Sequence, residues 1–432
     1  MSMSNQLPQN IIKYLNKYSS DKWNTYSTNS KLYKTIIVIP AIAELENLTS
    51  LIESLIQNDD KYFNETLILF VINNLESTSE EIKINNRESM ELLKAYVNKS
   101  LNINFIDAST EGKELNEKDG GVGLARKIGM DLALTLFDYS TKKQNLLVCL
   151  DGDCTVEENY ITTIRNYFDR NKISAGYVNF KHSDILDDAN ERAIINYEIF
   201  LRYYVLGLIY AESPYAYHSI GSTMVCDSES YIKVQGMNKR KAAEDFYFME
   251  KLSKITKIIK INGTAVLPSS RGSWRVPFGT GQRVNRFLDD VQNEYILYSP
   301  KSFGVLKEWV KLFYSEENLS ADEYLEQSKK NSESLFNFLI SNNLKKNWGK
   351  ILENSSSNQQ IQKQKSLWFD GFRTLKLIHY LRDTEFPSLN MFDALDELFR
   401  MMNVEFNFEN SKSEIPSVKI QKEYLKKLRE IA

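Results

Sequence analysis

Residues 146–153 read Leu-Leu-Val-Cys-Leu-Asp-Gly-Asp, a continuous apolar run that stops at two acids separated by one glycine. Such a run is typical of a strand with both faces covered. Three similar runs precede it, at Thr35–Ile39, Leu67–Ile72 and Ile103–Ile106, and polar bends and stretches with helical spacing separate them. The alternation predicts an α/β fold with a mostly parallel sheet, whose ligands bind beyond the carboxyl ends of the strands.

Helical spacing is clearest just before the acidic run. After Gly123, leucine or isoleucine recurs at every fourth position, which predicts one apolar helix face and leaves Arg126 pointing away from it. Further strands are expected near residues 176–180, 222–226 and 257–261, with one more helix around Phe248.

A chain of 432 residues suits more than one domain. Residues 1–33 are polar and predict an N-terminal arm, and residues 34–290 carry the strand and helix alternation. Beyond residue 290, glycine and strand-like runs become scarce and helical spacing dominates. We therefore expect a helical C-terminal region over residues 291–432.

Composition excludes several classes of function. The formal net charge of −3 offers no basic field for nucleic acid, so no nucleic-acid partner is expected. No segment reaches the roughly 20 apolar residues that a membrane span needs. The 3 cysteines are an odd number, and two of them lie in or beside strand-like runs, which indicates a reducing compartment. These features predict a cytoplasmic protein without a membrane span.

The two acids that end the run at residues 146–153 predict a cation site. Once the chain turns at Gly152, Asp151 and Asp153 reach the same side, and two close carboxylates are costly unless a cation or hydrogen-bond donors lie between them. Hard oxygen ligands suit a divalent metal ion, Mn²⁺ or Mg²⁺, which in turn bridges a diphosphate. A solvated loop after a strand is the alternative, because Asp and Gly are ordinary turn residues.

Five segments follow one another along the chain: Pro40–Leu48, Gly121–Gly129, Asp151–Asp153, Gly221–Val225 with Tyr231 and Gly236, and Glu244–Phe246. Their order resembles that of glycosyltransferase family 2. The resemblance covers roughly residues 34–283 and implies a GT-A-type fold, a mixed and mostly parallel sheet with flanking helices. It also implies a nucleoside-diphosphate sugar donor, a divalent metal ion and an acceptor that the sequence does not identify.

The resemblance also implies roles for single acids. Asp151 would hold the ribose or the metal through water, and Asp153 would bind the metal that neutralises the leaving diphosphate. Asp245 would be the general base that removes the proton of the acceptor hydroxyl in an inverting transfer, and Glu244 would orient the acceptor. A helix N-cap is the structural alternative for Asp245. Whether the transfer inverts or retains the anomeric configuration stays open.

Other residues are expected around the nucleotide sugar. Pro40, Glu44, Asn74 and Arg126 would contribute on the donor side, with Arg126 offering a planar fork to phosphate or to Asp151. Glu44 could instead simply favour the start of a helix.

The acceptor side is expected to include Trp274, which would stack on a sugar ring or lie in the core. The chain departs from the family pattern at Ala43, where an asparagine is usual, and at Asn73-Asn74, where a carboxylate commonly meets the base. The identity of the base is therefore open.

Three other functions compete. Asp151-Gly152-Asp153-Cys154-Thr155 also matches the opening motif of haloacid-dehalogenase-like phosphatases, in which Asp151 would attack phosphorus. That motif normally follows the first strand of its domain, whereas three strands precede it here. A nucleotidyltransferase would need a glycine-rich phosphate loop, and residues 40–48 contain no glycine. A non-catalytic scaffold that binds nucleotide sugars is the third alternative.

Overall fold

The computed structural model describes residues 7–28, 30–97, 101–182, 185, 187–271, 280–289, 293–406 and 414–432. The chain forms two compact units. The first contains Met1–Ile185 and Ser219–Gly279, and the second contains Leu186–His218 and Thr280–Ala432. The boundaries expected at residues 33 and 290 remain predictions.

An eight-stranded sheet forms the centre of the first unit, with the strand order β3-β2-β1-β4-β7-β6-β8-β5. Strands β1–β4, β6 and β8 run in one direction, and β5 and β7 run against them. The predicted fold class, a mixed and mostly parallel sheet with flanking helices, is confirmed. The strands are β1 Thr35–Ala41, β2 Thr66–Asn73, β3 Asn102–Ala108, β4 Leu146–Cys149, β5 Cys154–Val156, β6 Ala175–Phe180, β7 Met224–Asp227 and β8 Ile259–Pro268.

The central strands are apolar because they are covered on both faces. Every residue of β1, β2 and β4 is buried. The apolar core on one side of the sheet joins β1 and β2 to the helices that follow them. Burial on this scale contributes about 25 cal/mol per Å² of apolar surface removed from water. The rigid central strands therefore fix the position of the loops that follow β1 and β4.

Seven helices of the first unit are described. Their bounds are α1 Gln9–Tyr18, α2 Leu45–Ile56, α3 Glu80–Lys94, α4 Val122–Leu136, α5 Tyr160–Asn171, α7 Ser228–Lys233 and α8 Glu244–Ser253. Short 3₁₀ turns lie at Asp60–Glu65 and Gly221–Thr223.

Helix α4 is buried around almost its whole circumference, although its spacing predicts a single apolar face. The polar side is covered by the N-terminal arm. The Tyr14 hydroxyl donates to Asp131 Oδ1 at 2.8 Å, and Lys127 Nζ donates to Asp131 Oδ2 at 2.8 Å. These bonds satisfy the charges of Lys127 and Asp131, so both side chains can lie in the interior.

The second unit is helical, as predicted for the C-terminal region. Its core is rich in aromatic side chains, among which Trp309 and Trp348 are almost fully buried. Its helices are α6 Asp188–Tyr210, α9 Thr280–Leu288, α10 Pro300–Phe313, α11 Ala321–Asn331, α12 Glu333–Ser341, α13 Leu344–Glu353, α14 Asn358–Trp368, α15 Gly371–Thr384, α16 Met391–Met401 and α17 Val418–Ile431. Two short antiparallel strands, β9 Ile296–Leu297 and β10 Leu389–Asn390, join them.

Within the described ranges, none of the helices combines the length and the apolar character that crossing a bilayer requires.

Candidate active site

The loops after β1 and β4 bring three carboxylates together at the carboxyl edge of the sheet. Glu44 follows β1, and Asp151 and Asp153 follow β4. The Cys154 amide donates to the Asp151 carbonyl at 3.2 Å, which closes a tight turn around Gly152. A Cβ on Gly152 would lie only 3.0 Å from Glu44 Cγ, so the glycine lets Glu44 approach the turn. The sequence predicts a shared position for Asp151 and Asp153 alone, and the structure adds Glu44 beside the turn that carries them.

Arg126 connects the Asp151 turn to the start of helix α8. One end of its guanidinium donates to Asp151 and the other donates to Glu244. The Arg126 side chain is 2% exposed and the Glu244 side chain 5%, so both ends of this ion pair lie in the interior. Gly221 packs against the guanidinium, because a Cβ there would lie 2.3 Å from Arg126 Nη2. Four of the segments singled out in the sequence therefore meet at Arg126.

Asp245 is half-buried next to this ion-pair network. Its Oδ1 accepts from the Phe246 amide at 2.7 Å. Burial raises the pKa of the Asp245 carboxyl above its usual value, the Arg126 guanidinium works in the opposite direction, and the Asp151 carboxylate raises the pKa further. A carboxylate with a raised pKa is a better proton acceptor than an ordinary aspartate, as a general base requires.

Arg271 is a site residue that the sequence analysis does not single out. Its Nη2 lies 2.7 Å from both carboxylate oxygens of Glu44 and 3.4 Å from Asp153 Oδ2. Strand β8 ends at Pro268 and carries Arg271 to the same edge of the sheet. An arginine just beyond a strand end was the available signal, but the strand was expected to end near residue 261.

Asn74 and Pro40 are placed deeper than the carboxylates. Asn74 is 1% exposed, and its amide oxygen accepts from Asn86 Nδ2 at 2.8 Å. Asn86 Oδ1 in turn accepts from the Ala43 amide at 2.9 Å, so this asparagine pair shapes the loop that carries Glu44. Pro40 is buried within β1, opposite Val71 of β2. Trp274 lies outside the described residues.

Two alanines precede the site acids in the left-handed backbone region. Ala43 has φ of 51° and is followed by Glu44, and Ala243 has φ of 57° and is followed by Glu244. This conformation costs a residue with a Cβ roughly 1–2 kcal/mol. The surrounding structure therefore holds both acids in place against a local cost.

The donor set is suited to a divalent cation. Asp151 and Asp153 are 34% and 29% exposed, and their oxygens are of the type that Mg²⁺ and Mn²⁺ prefer. No group of three or more His, Cys, Asp or Glu side chains in the described ranges has the arrangement of a metal site. Mg²⁺ needs only one or two carboxylates when a substrate phosphate and water complete its shell.

The charge of the site also favours a cation. Among the described residues, five carboxylates and two guanidiniums lie at the site, which leaves a formal excess of three negative charges when all are ionised. The carboxylates belong to Glu44, Asp151, Asp153, Glu244 and Asp245, and the guanidiniums belong to Arg126 and Arg271. An anionic diphosphate would be repelled from such a site unless additional positive charge came with it.

Comparisons with known proteins give structural similarities alone. No family model matches the sequence, and no curated protein matches it. S. aureus TarS 1–349 in complex with UDP-GlcNAc aligns at 12% identity with a TM-score of 0.39, over 79% of this chain and 91% of that one. The mannosyltransferase PcManGT from Pyrobaculum calidifontis, in complex with GDP-Man and Mn²⁺, aligns at 12% identity with a TM-score of 0.37, over 86% and 92% of the two chains.

Proposed function

We propose that this chain is a glycosyltransferase that moves a sugar from a nucleoside-diphosphate sugar to an acceptor hydroxyl. One observation carries the proposal: Arg126 joins Asp151, on the side expected for the donor, to Glu244 beside Asp245, on the side expected for the acceptor. Glycosyl transfer needs both functions within reach of one anomeric carbon. The acids of a metal site alone would fit many reactions, whereas this linked pair of acidic groups fits a two-substrate transfer.

The donor half is proposed to lie at Asp151 and Asp153. These two residues would hold a Mn²⁺ or Mg²⁺ ion, which neutralises charge on the leaving diphosphate when bound. Arg126 holds the Asp151 carboxylate from the interior side, so that its orientation is fixed before the donor arrives. Pro40 and Glu44 lie on the β1 side of the same sheet edge. Asn74 binds Asn86, which in turn binds the loop that carries Glu44.

The acceptor half is proposed to lie at Asp245. Its carboxylate takes the proton of the acceptor hydroxyl while the hydroxyl oxygen attacks the anomeric carbon, and the bond from that carbon to the diphosphate oxygen breaks. Attack on the face opposite the leaving group inverts the configuration. Glu244 is bound to Arg126 and almost fully buried, so we assign it to holding this guanidinium beside Asp245, in place of the acceptor contact that the resemblance implies.

The phosphatase alternative fits the geometry less well. Its chemistry needs Asp151 to attack phosphorus, yet Asp151 Oδ1 is bound by the buried guanidinium of Arg126. A phosphatase mechanism also assigns no role to Asp245, although burial and the neighbouring Asp151 carboxylate raise the pKa of this side chain and make it a better proton acceptor.

Donor binding is the direct test. A panel of UDP- and GDP-sugars is titrated calorimetrically with Mg²⁺ or Mn²⁺ and again with chelator, and diphosphate release is measured in parallel. We expect at least one donor to bind in a metal-dependent manner, and Asp153→Ala to lose the metal-dependent part. Asp60→Ala, at an exposed position of the same unit, is the matched control. Absence of binding by every nucleotide sugar, with phosphate ester hydrolysis instead, would reject the proposal.

A further inference from the structure

We propose that Arg271 is a ligand of the donor diphosphate, which rests on the proposed function and assigns a residue to it. The guanidinium of Arg271 lies directly at the two acids that would face the diphosphate, 3.4 Å from Asp153 Oδ2 and 2.7 Å from both oxygens of Glu44. Planar guanidinium groups bind phosphate oxygens with two parallel hydrogen bonds. The position and the chemistry of Arg271 therefore match a diphosphate.

The two arginines of the site differ in exposure. The side chain of Arg126 is 2% exposed, and its guanidinium is bound by two carboxylates of the interior. The side chain of Arg271 is 31% exposed, so part of it faces the solvent from which a donor arrives. Arg126 is accordingly a positioning residue, and Arg271 is the arginine that a bound diphosphate can reach.

Arg271 lies at different distances from its two partners, and this difference indicates which of them a phosphate can replace. The 2.7 Å contacts to Glu44 are those of a firm charge-assisted hydrogen bond, whereas the 3.4 Å contact to Asp153 is long for one. Glu44 is 6% exposed and anchors the guanidinium. A phosphate oxygen can replace Asp153 as the second partner while Glu44 keeps the arginine in place.

Such an exchange also corrects the charge balance. The described residues of the site carry a formal excess of three negative charges, and Asp153 is expected to bind the divalent cation. When the cation binds Asp153, Arg271 loses this carboxylate as a partner and binds a phosphate oxygen instead. Asp153 is then paired with the cation and the phosphate with Arg271. Glu44 then acts through Arg271 and does not need to contact the nucleoside.

The affinity ratio between a nucleoside and its diphosphate tests this role. UDP and uridine, and GDP and guanosine, are titrated with Mg²⁺ present into the wild-type chain, Arg271→Ala and Arg271→Lys. Arg170→Ala is the control, because Arg170 is exposed on α5 of the same unit. The ratio is measured within one protein sample, so a variant that folds to a smaller extent still reports the diphosphate contribution.

We expect Arg271→Ala to reduce the preference for the diphosphate over the nucleoside about tenfold or more, the loss of one hydrogen bond between charged groups. Arg271→Lys should retain part of the preference as a single charge, and Arg170→Ala should retain all of it. An unchanged ratio in Arg271→Ala overturns the assignment of Arg271 and leaves the proposed function standing. A wild-type chain without any preference for the diphosphate overturns the proposed function itself.

Discussion

Replacing Arg126 with methionine is expected to destabilise the first unit by about 3–5 kcal/mol, the usual cost of removing one partner from a buried ion pair. Glu244 sets this magnitude, because its side chain is 5% exposed and would be left as an uncompensated buried charge. Asp151 contributes little, because its side chain is 34% exposed and can be hydrated again. Methionine keeps most of the volume of the side chain, so the loss reports the charge and not a cavity.

Hydrogen exchange of peptides from β1 and β4, measured against urea, reports the opening free energy of this unit separately from the helical one. Adding Glu244→Gln to Arg126→Met removes the unpaired charge and should recover about 1–3 kcal/mol. Arg87→Met is the control, because Arg87 pairs with Glu80 at the surface and should cost within about 0.5 kcal/mol. If Arg126→Met costs no more than Arg87→Met, the buried ion pair does not hold the site together.

Three further predictions concern the transfer activity of Asp245→Asn, the stability of the same variant and the packing of the Arg126 guanidinium. Asp245→Asn should lower transfer about 10²- to 10⁴-fold while donor affinity stays unchanged, a result that steady-state rates and calorimetry separate. Burial raises the pKa of Asp245 in the folded state, so the stability that its protonated form provides is lost as the pH rises through that pKa. Asp245→Asn should therefore have a larger free energy of unfolding than the wild type at neutral pH. Denaturation at several pH values should show this difference disappear in acid. Gly221→Ala should reduce donor affinity, because the new Cβ would meet Arg126 Nη2 at 2.3 Å and push it away from Asp151; a calorimetric affinity equal to that of the wild type would show that the loop yields instead.

The parallel half of the sheet could be predicted from the sequence because its strands are covered on both faces. Continuous apolar runs at residues 35–39, 67–72, 103–106 and 146–150 correspond to β1–β4; the two sets of bounds differ by at most two residues at each end. The sequence predicts a strand near residues 222–226, where β7 lies, but not its reversed direction, and it does not predict β5. A three-residue strand such as Cys154–Val156 has too few side chains to show a period, and its direction depends on its partner β8.

The candidate site could be predicted only as far as local motifs allow. Asp151, Asp153, Glu244 and Arg126 are recognisable from their position beside a strand or a helix start, and the structure brings them together. Arg271 could not be found in this way, because its partner Glu44 is 227 residues away in the chain. The burial of the polar face of α4 could not be predicted either, because the N-terminal arm that covers this face is distant from α4 in the sequence.

The left-handed alanines before the site acids have a consequence for engineering. At Ala43 and Ala243, glycine would relax the folded backbone, so a search for thermostable variants would be drawn to these positions. Glycine would also loosen the two hinges that aim Glu44 and Glu244, and a stiffly held carboxylate is what a preorganised site requires. At these two positions, greater heat resistance and a more rigidly held carboxylate call for different residues.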